Sequence, residues 1–363
     1  MKRRALLTAL PCLALARATG ACAAPVFDTV SRERVLSFPR DYGAHPGFRT
    51  EWWYVTGWLE REGESACGFQ ITFFRSRSGH SDDNPSTFAP RQLLFAHAAL
   101  ALPERGRLLH DERAARAGAG GVRFSEFDTA VAIGDWSFTR DAGSGRYAAR
   151  LAGRDLDLTL DLAPNGPPIT QGDKGYSQKG PRAEQASHYY SEPQLAVTGS
   201  IAAGMGSARR RSNVTGRAWL DHEWSSTLLD EHATGWDWIG LNFDDGSSLM
   251  AFRIRTEGGA TLWSHAARRD PQGHLVETGA DARWSPKRWW VSPRSQARYP
   301  TSFDISIGSE VLNLQPLMDD QEIDARRSTG GYYWEGAITV HSGRRRIGRG
   351  YLELTGYAER LKL

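Results

Sequence analysis

The sequence predicts an all-β protein, and three observations carry this prediction. The chain of 363 residues contains 38 Gly, 13 Trp, 11 Tyr and 14 Phe, a composition that favours strands and turns over helices. Short apolar or alternating stretches recur with turn residues between them, which is typical of a sandwich or barrel. Two hairpins begin with the same Trp-x-x-x-Gly pattern, at Trp53–Gly57 and at Trp236–Gly240. Together these patterns predict a duplicated β domain.

Residues 1–23 are predicted to be a secretory signal peptide. Its basic start, Lys2–Arg4, precedes the apolar stretch Ala5–Ala16, which at about twelve residues is too short to cross a bilayer. Ala21-Cys22-Ala23 then provides a small-x-small cleavage site. We therefore expect an exported, periplasmic protein, by the Sec or the twin-arginine route, with lipid anchoring through Cys22 as the alternative.

The predicted mature chain is nearly neutral and has one cysteine. Loss of the four basic residues in residues 1–23 takes the formal net charge from +3 to −1. Such a chain lacks the clustered positive charge that nucleic acid recognition requires, and no further stretch is apolar enough for a transmembrane segment. Cys67 remains alone, so no intramolecular disulfide is expected. Its apolar strand favours a buried hydrophobe over a nucleophile.

The N-terminal domain is predicted over residues 24–205. After a leader with little pattern, a hairpin pairs Glu51–Leu59 with Cys67–Arg75. Leu93–Leu102 is an apolar run that is readable as a buried strand or a short helix. Glu104–Gly121 lacks periodicity and is predicted to be irregular. Three more strands and a polar, tyrosine-rich connection follow: Ala132–Thr139, Arg146–Gly153, Asp155–Leu162 and residues 175–193.

The C-terminal domain is predicted over residues 206–363. The Gly-, Ser- and Arg-rich stretch Ala202–Ser212 is predicted to be the boundary. A second hairpin then pairs Trp236–Phe243 with Leu249–Arg255 around an Asp-Asp-Gly turn. Further short strands are expected at Thr261–Ala267, Trp289–Val291, Ser302–Ile307, Glu310–Gln315, Tyr332–His341 and Gly348–Leu354.

Three short clusters mix large aromatics with carboxylates. They lie at residues 51–54, at residues 219–224 and at residues 235–238. Large aromatics are unfavourable on an exposed surface, so the clusters are expected to meet in one aromatic-walled region. In a strand the central cluster divides into two faces: Trp219, Asp221 and Glu223 on one, and Leu220, His222 and Trp224 on the other.

Seven sequence blocks stand out along the chain: EWWYVTGWL at 51–59, GYSQKG at 175–180, YYS at 189–191, WLDHEW at 219–224, GWDW at 235–238, YYWEG at 332–336 and GYLELTGY at 350–357. In this order they resemble blocks of the AttH/CrtC family, which includes the carotenoid 1,2-hydratases (hydroxyneurosporene synthases). The resemblance implies two lipocalin-like β-barrel domains of the calycin type. It also implies a hydrophobic, lipid or isoprenoid ligand and a role in lipid metabolism or transport.

Hydration of a carbon–carbon double bond requires an acid that can form a carbocation and a water that traps it. A carboxylic acid among tryptophans has its pKa raised by desolvation, and indole faces stabilise the cation. The candidate acids are Asp221, Glu223, Asp237 and Glu51. The candidate ligand contacts are Trp52, Trp53, Tyr54, His97, Lys179, Tyr189, Tyr190, Trp219, His222, Trp224, Trp236 and Trp238.

Structural alternatives stand beside these assignments. In one alternative, arginines or backbone donors bind Asp221 and Glu223, which then have a structural role. In another, His97 is a core histidine whose ring nitrogens are satisfied by hydrogen bonds. A further alternative is that most of the tryptophans belong to the core. Lys179, Tyr189 and Tyr190 either bind a polar head group or cap a linker. Asp221-His222-Glu223 resembles a metal set, but adjacent strand residues point in opposite directions, so no metal is expected. No Rossmann fingerprint, P-loop or nucleophile elbow appears in the sequence. No cofactor is expected.

Two functions therefore remain open from the sequence. One is an exported carrier or accessory protein for a hydrophobic small molecule or lipid, without chemistry of its own. The other is a lyase that hydrates or cyclises an isoprenoid-like substrate. A buried carboxylate open to a cavity favours the lyase, and a closed cavity without one favours the carrier.

Overall fold

The computed structural model describes residues 27–81, 84–227, 229–278 and 281–361. The predicted signal peptide, its cleavage site and Cys22 lie outside these residues. The described chain is all-β, which confirms the predicted class. Its helical content within these ranges is three single 3-10 turns, and none of its helices has the length and apolarity to cross a membrane. The turns are Arg40–Tyr42, Pro103–Arg105 and Gly206–Ala208.

Sheet A is antiparallel and contains thirteen strands. Its hydrogen-bonded order is β4-β3-β2-β1-β13-β12-β9-β8-β7-β6-β5, and β10 and β11 pair with β12. The strands are β1 (Thr50–Arg61), β2 (Cys67–Arg77), β3 (Gln92–Ala101), β4 (Leu108–Arg116), β5 (Arg123–Phe124), β6 (Ala130–Ile133), β7 (Trp136–Arg140), β8 (Tyr147–Ala152), β9 (Leu156–Ala163), β10 (Ile169–Thr170), β11 (Tyr176–Gln178), β12 (Ala186–Ala203) and β13 (Arg210–Ser225).

Sheet B is also antiparallel and contains ten strands in the order β17-β16-β15-β14-β23-β22-β20-β19-β18, with β21 paired to β22. Its strands are β14 (Ala233–Phe243), β15 (Ser248–Thr256), β16 (Thr261–Arg269), β17 (Leu275–Thr278), β18 (Arg283–Val291), β19 (Arg298–Ile307), β20 (Glu310–Pro316), β21 (Glu322–Asp324), β22 (Tyr332–Ser342) and β23 (Arg345–Leu354).

Sheet A curls into a half-barrel around its own core. Strand β9 shows why, because Leu156, Leu158, Leu160 and Leu162 alternate with polar residues and all four leucines are fully buried. Strands β4 and β9 approach each other across the curl, which encloses the core. Within the described residues neither sheet closes into a ring of hydrogen-bonded strands. The architecture is therefore a curled sheet A and a second sheet B, each with its own buried cluster.

Both predicted hairpins are present, as the pairs β1–β2 and β14–β15. Two stretches between them differ from the predictions. Leu93–Leu102 corresponds to strand β3, whereas the stretch predicted as irregular contains β4, whose partly buried side chains hide the alternating pattern. The stretch Ala202–Ser212 is a hairpin turn that joins β12 to β13 inside sheet A. The chain passes to sheet B only between Ser225 and Ala233, beyond the predicted boundary at 205–206. The division into two domains stays a prediction.

Candidate functional site

Strand β13 presents two chemically different faces, as its alternation requires. Leu220 and Trp224 belong to the core of sheet A, and His222 is fully buried beside them. Trp219 belongs instead to a cluster that packs between the two sheets, here called the inter-sheet layer. Its main aromatic members are Tyr54, Trp58, Tyr189, Trp219, Trp238, Phe252 and Tyr351, with Trp52 and Trp236 at its partly buried margin.

Strand pairing places residues of the inter-sheet layer directly opposite each other on neighbouring strands. In sheet A, Tyr54 lies opposite Asp221 and Trp52 lies opposite Glu223. In sheet B, Trp238 lies opposite Glu353 across the β14–β23 pair. The rings of Trp219 and Trp238 meet edge to face with their centroids 6.1 Å apart, which joins the two sheets.

Asp221 is 3% exposed and receives hydrogen bonds from neutral groups. Trp219 Nε1 donates to Oδ1 at 2.6 Å, Ser191 Oγ donates to Oδ1 at 2.5 Å, and Tyr189 Oη donates to Oδ2 at 2.7 Å. No cation is among the groups that shift its charge state. Burial therefore outweighs the three hydrogen bonds and raises the pKa of Asp221 to about 7. A large share of this carboxyl is a neutral acid near pH 7.

Glu223 lies two residues further along the same face of β13 and has a cationic partner. Lys179 Nζ lies 3.1 Å from Oε1, and Ser187 Oγ also donates to this oxygen. The same ammonium lies 4.1 Å from the centroid of the Phe252 ring and 4.6 Å from that of Tyr189. Lys179 thus closes one side of the inter-sheet layer by an ion pair and two cation–π contacts.

Glu51 lies on the opposite face of sheet A, in a buried polar network. Arg75 Nε donates to Oε2 at 2.7 Å, and ring nitrogens of His45 and His222 lie 2.8 and 2.9 Å from Oε1. Burial opposes ionisation of Glu51, but the charge of Arg75 and these hydrogen bonds outweigh it and hold its pKa well below the ordinary value. The catalytic assignment predicted for Glu51 is therefore corrected: this carboxylate is an ionised structural anchor.

Three of these ligand-type atoms, on His45, Glu51 and His222, lie within 4.8 Å of one another. The arrangement has the composition of a metal site, but Arg75 already neutralises the carboxylate. A divalent cation there would face a buried guanidinium at short range, which is electrostatically unfavourable. The contacts fit a hydrogen-bond network better than a metal centre.

Asp237 is also removed from the set of candidate acids. Its two oxygens accept hydrogen bonds from Arg253 Nε at 2.7 Å and Arg255 Nε at 2.8 Å, and the Tyr357 hydroxyl donates to the same carboxylate. Two arginines therefore hold this carboxylate in a fully buried position, which fits a structural role. The catalytic assignment predicted for Asp237 is not supported by these contacts.

Several predicted ligand contacts lie away from the inter-sheet layer. Trp53, Tyr190 and Trp224 belong to the core of sheet A, where the His222 ring stacks on Trp53. His97 lies in a second region where the two sheets meet. There Tyr333 Oη and Ser328 Oγ lie 2.6 and 2.8 Å from its ring nitrogens. Burial lowers the pKa of His97 to about 3, so it is a satisfied neutral histidine. Strand alternation separates Trp53, Tyr190 and Trp224 from Asp221, whereas His97 lies on the same face as Asp221 but three strands away.

Two carboxyl groups of the site were not among the predicted residues. Glu335 and Glu353 face each other on β22 and β23, and both reach the inter-sheet layer. Tyr54 Oη donates to Glu335 Oε2 at 2.7 Å, and Trp236 Nε1 donates to Glu353 Oε2 at 2.9 Å. Burial raises the pKa of Glu353 to about 7 and that of Glu335 well above its ordinary value. The blocks YYWEG and GYLELTGY contain both residues and were the available sequence signal.

A cleft of about 500 Å³ opens at one end of the inter-sheet layer. Its inner wall includes Trp58, Trp219 and Tyr351, and its rim includes three arginines from both sheets. Trp219 also donates a hydrogen bond to Asp221, so a single side chain separates the cleft from the neutral acid. The arrangement can hold an apolar molecule close to a proton donor.

The chain matches one family of known proteins and several solved structures. Residues 29–357 match the model of the AttH-like family. A crystal structure from Nitrosomonas europaea, described as an AttH, is 47% identical and covers 91% of this chain and 100% of its own, with a TM-score of 0.84. No curated protein matches the chain.

Two more distant structures share the fold alone. Kievitone hydratase from Nectria haematococca is 13% identical, covers 93% of this chain and 98% of its own, and has a TM-score of 0.66. CghA, crystallised with Sch210972, is also 13% identical, covers 92% of this chain and 97% of its own, and has a TM-score of 0.55.

Proposed function

The chain belongs to the AttH-like family, and we propose that it adds water to a carbon–carbon double bond of an apolar, isoprenoid-like or lipid ligand. The observation that carries this proposal is the state of Asp221, a buried acid without a cationic partner whose pKa is raised to about 7. Its position beside the indoles of Trp219 and Trp238 supports the same chemistry. A hydratase among the proteins of this fold is in keeping with it.

The proposed reaction begins with proton transfer from the Asp221 carboxyl to one carbon of the double bond. The electron pair of the π bond forms the new C–H bond, and the neighbouring carbon becomes a carbocation. The faces of Trp219 and Trp238 and the developing Asp221 carboxylate stabilise this charge. A water molecule then attacks the cation, and the resulting oxonium returns a proton to Asp221. The net change is the addition of one water, and the acid is regenerated.

The inter-sheet contacts support a positioning role for Tyr189. Its hydroxyl donates to Asp221 Oδ2 and accepts a hydrogen bond from Trp238 Nε1 at 3.2 Å. It therefore joins the acid on sheet A to an indole on sheet B, and it holds both at a fixed separation. We assign Tyr189 the role of orienting the acid.

The replacement D221N tests the proposal, because it removes the acid and keeps the shape. Protein is incubated with detergent-solubilised isoprenoid alkenes in ¹⁸O-labelled water, and labelled alcohols are measured by mass spectrometry. We expect wild-type protein and the surface control D281N to form the labelled alcohol and D221N to lose at least about a hundredfold in rate, as for loss of a general acid. Unchanged turnover by D221N would overturn the assignment.

The same two proteins, wild type and D221N, distinguish the hydratase from the second candidate function, a carrier. Native mass spectrometry of protein from its own host identifies the ligand that copurifies. A carrier retains the same unmodified ligand in wild type and D221N, and neither forms a labelled product. For the hydratase we expect D221N to accumulate an alkene and wild type to hold the corresponding alcohol.

The proposal extends to location and architecture. The pattern of residues 1–23 supports export to the periplasm, and N-terminal sequencing that finds Met1 intact or a lipid on Cys22 would contradict cleavage after Ala23. The curled sheet A supports one lipocalin-like barrel, with sheet B as its counterpart.

A further inference from the structure

The rim of the cleft contains one arginine whose charge is not neutralised. Arg349 pairs with Glu60, and Arg346 Nε lies 3.8 Å from Asp244 Oδ2. Arg217 instead donates to a neutral amide, Gln194 Oε1, at 2.6 Å, and within the described ranges no carboxylate pairs with it. The cleft mouth therefore has an excess of one positive charge.

The residue that holds Arg217 has an uncommon backbone conformation. Gln194 has φ of 58°, in the left-handed region that favours glycine, and it lies in the bulge between Glu192 and Leu195 of β12. Its backbone and side chain are fixed to sheet B by Asn242 Oδ1 at 2.9 Å and by the carbonyl oxygens of Phe243 and Ser247 at 3.0 and 2.8 Å. Such strain persists where surrounding contacts enforce it, and it is concentrated at functional positions. Here it directs an amide oxygen at Arg217.

The same strand connects this arginine to the neutral acid. Arg217, Trp219 and Asp221 lie on one face of β13, in order from the cleft mouth inward. At about 3.3 Å per residue, the Cα atoms of Arg217 and Asp221 are about 13 Å apart. An elongated molecule in the cleft would contact Arg217 and Trp219, and Trp219 in turn contacts Asp221.

We propose that Arg217 binds the carboxylate of an amphipathic ligand whose apolar chain lies in the cleft against Trp58, Trp219 and Tyr351. This inference deepens the proposed function and rests on it for the position of the reacting bond. The guanidinium fork matches a carboxylate in two parallel hydrogen bonds. One unneutralised charge matches a carboxylate better than a phosphate monoester, which carries nearly two negative charges.

Binding of saturated probes tests the inference independently of any reaction. Decanoate, decan-1-ol and decyl phosphate have the same chain and differ in the head group, and calorimetry gives their dissociation constants. We expect wild-type protein to bind decanoate about fivefold more tightly than decan-1-ol, the factor that corresponds to one partly exposed ion pair. In R217Q this preference disappears while binding of the alcohol is unchanged. Arg217 is exposed, so its replacement is compatible with folding.

Two further variants complete the design. R210Q removes the same charge from the same strand outside the cleft and should keep the preference for decanoate. D221N should also keep it, because the saturated probes need no proton donor. Absence of hydration by wild-type protein, with its preference for decanoate intact, would overturn the proposed reaction alone. Equal binding of acid and alcohol by wild type, an unchanged preference in R217Q, or tighter binding of decyl phosphate than of decanoate would overturn the carboxylate site.

Discussion

At Asp221, hydrogen bonds from a tryptophan, a tyrosine and a serine occupy the places that arginines take at Glu51 and Asp237. All three carboxyl groups are buried, and their neighbours in the sequence are equally aromatic. The pKa values of Glu51 and Asp221 shift in opposite directions, because the guanidinium of Arg75 offsets the desolvation of an anion and neutral donors do so only in part. Burial by itself therefore does not identify the acid.

The raised pKa of Asp221 predicts a pH dependence of stability. The Asp221 carboxyl has its ordinary pKa in the unfolded chain and a pKa of about 7 in the folded protein. The folded state therefore favours the neutral form. This contribution is present below about pH 4 and is lost as the pH rises through about 7. We expect the free energy of unfolding of wild type to fall by about 4 kcal/mol relative to D221N over that range. Urea denaturation at several pH values measures it.

Shifted carboxyl groups that do not interact with Asp221 are present in both proteins and cancel in this comparison, whereas Glu353, whose pKa the charge of Asp221 helps to raise, adds to the difference. D281N, an exposed replacement, should follow wild type at every pH. Parallel pH profiles for wild type and D221N would mean that Asp221 is ionised in the folded protein, and the acid would have to be sought at Glu335 or Glu353.

At the scale of the strand, β14 approaches β13 closely because of one glycine. A Cβ on Gly240 would lie 2.4 Å from a ring carbon of Trp238 and 3.0 Å from Cδ2 of Trp219. Both indoles are buried and rigidly packed, so neither can move away without loss of contacts. The missing side chain is what allows the edge-to-face contact between the sheets.

We expect G240A to lower the free energy of unfolding by about 1–3 kcal/mol, as overpacking of a rigid core does. It should also weaken ligand binding in the cleft, because Gly240 and Trp219 both line it. Urea denaturation and calorimetry measure the two effects. G258A is the matched control, since a Cβ there meets no atom within 4 Å. Equal stability of the two variants would show that the indoles yield.

Strand patterns could be predicted from the sequence, but the partners of the polar residues could not. Alternation assigned Trp219, Asp221 and Glu223 to one face of β13 and His222 to the other, as the structure has them. The residues of β1 and β12 that share a face with Asp221 are set by the register of these strands with β13. These strands come from distant parts of the sequence. The same long-range pairing brings Glu335 to Tyr54 and Arg75 to Glu51. Such contacts leave no local trace in the sequence.

At the scale of the molecule, the two sheets are joined by buried hydrogen bonds as well as by aromatic packing. Tyr54 Oη donates to Glu335 Oε2 across the junction, and Trp58 Nε1 donates to the carbonyl oxygen of Gly350 at 3.1 Å. Gln194 adds its contacts to Phe243 and Ser247. These links predict that the sheets unfold together.

We therefore expect denaturant unfolding to give coincident transitions by tryptophan fluorescence and by far-ultraviolet circular dichroism. Y54F leaves the Glu335 carboxyl without this donor and should lower the free energy of unfolding by about 1–3 kcal/mol while the transitions still coincide. Y332F is the control, because its ring lies at a partly exposed position. Two resolved transitions in wild type would show that each sheet is stable alone.

The two-sided use of β13 also limits how this protein can diverge. Insertion or deletion of one residue between Arg217 and Glu223 would exchange the faces beyond it, turning the acid into the core and an apolar side chain into the site. Loss of folding and loss of chemistry would then arise in a single event. We infer that descendants of this chain acquire new specificities by substitution at fixed length, and that the permissive places for added residues are the turns at the cleft mouth.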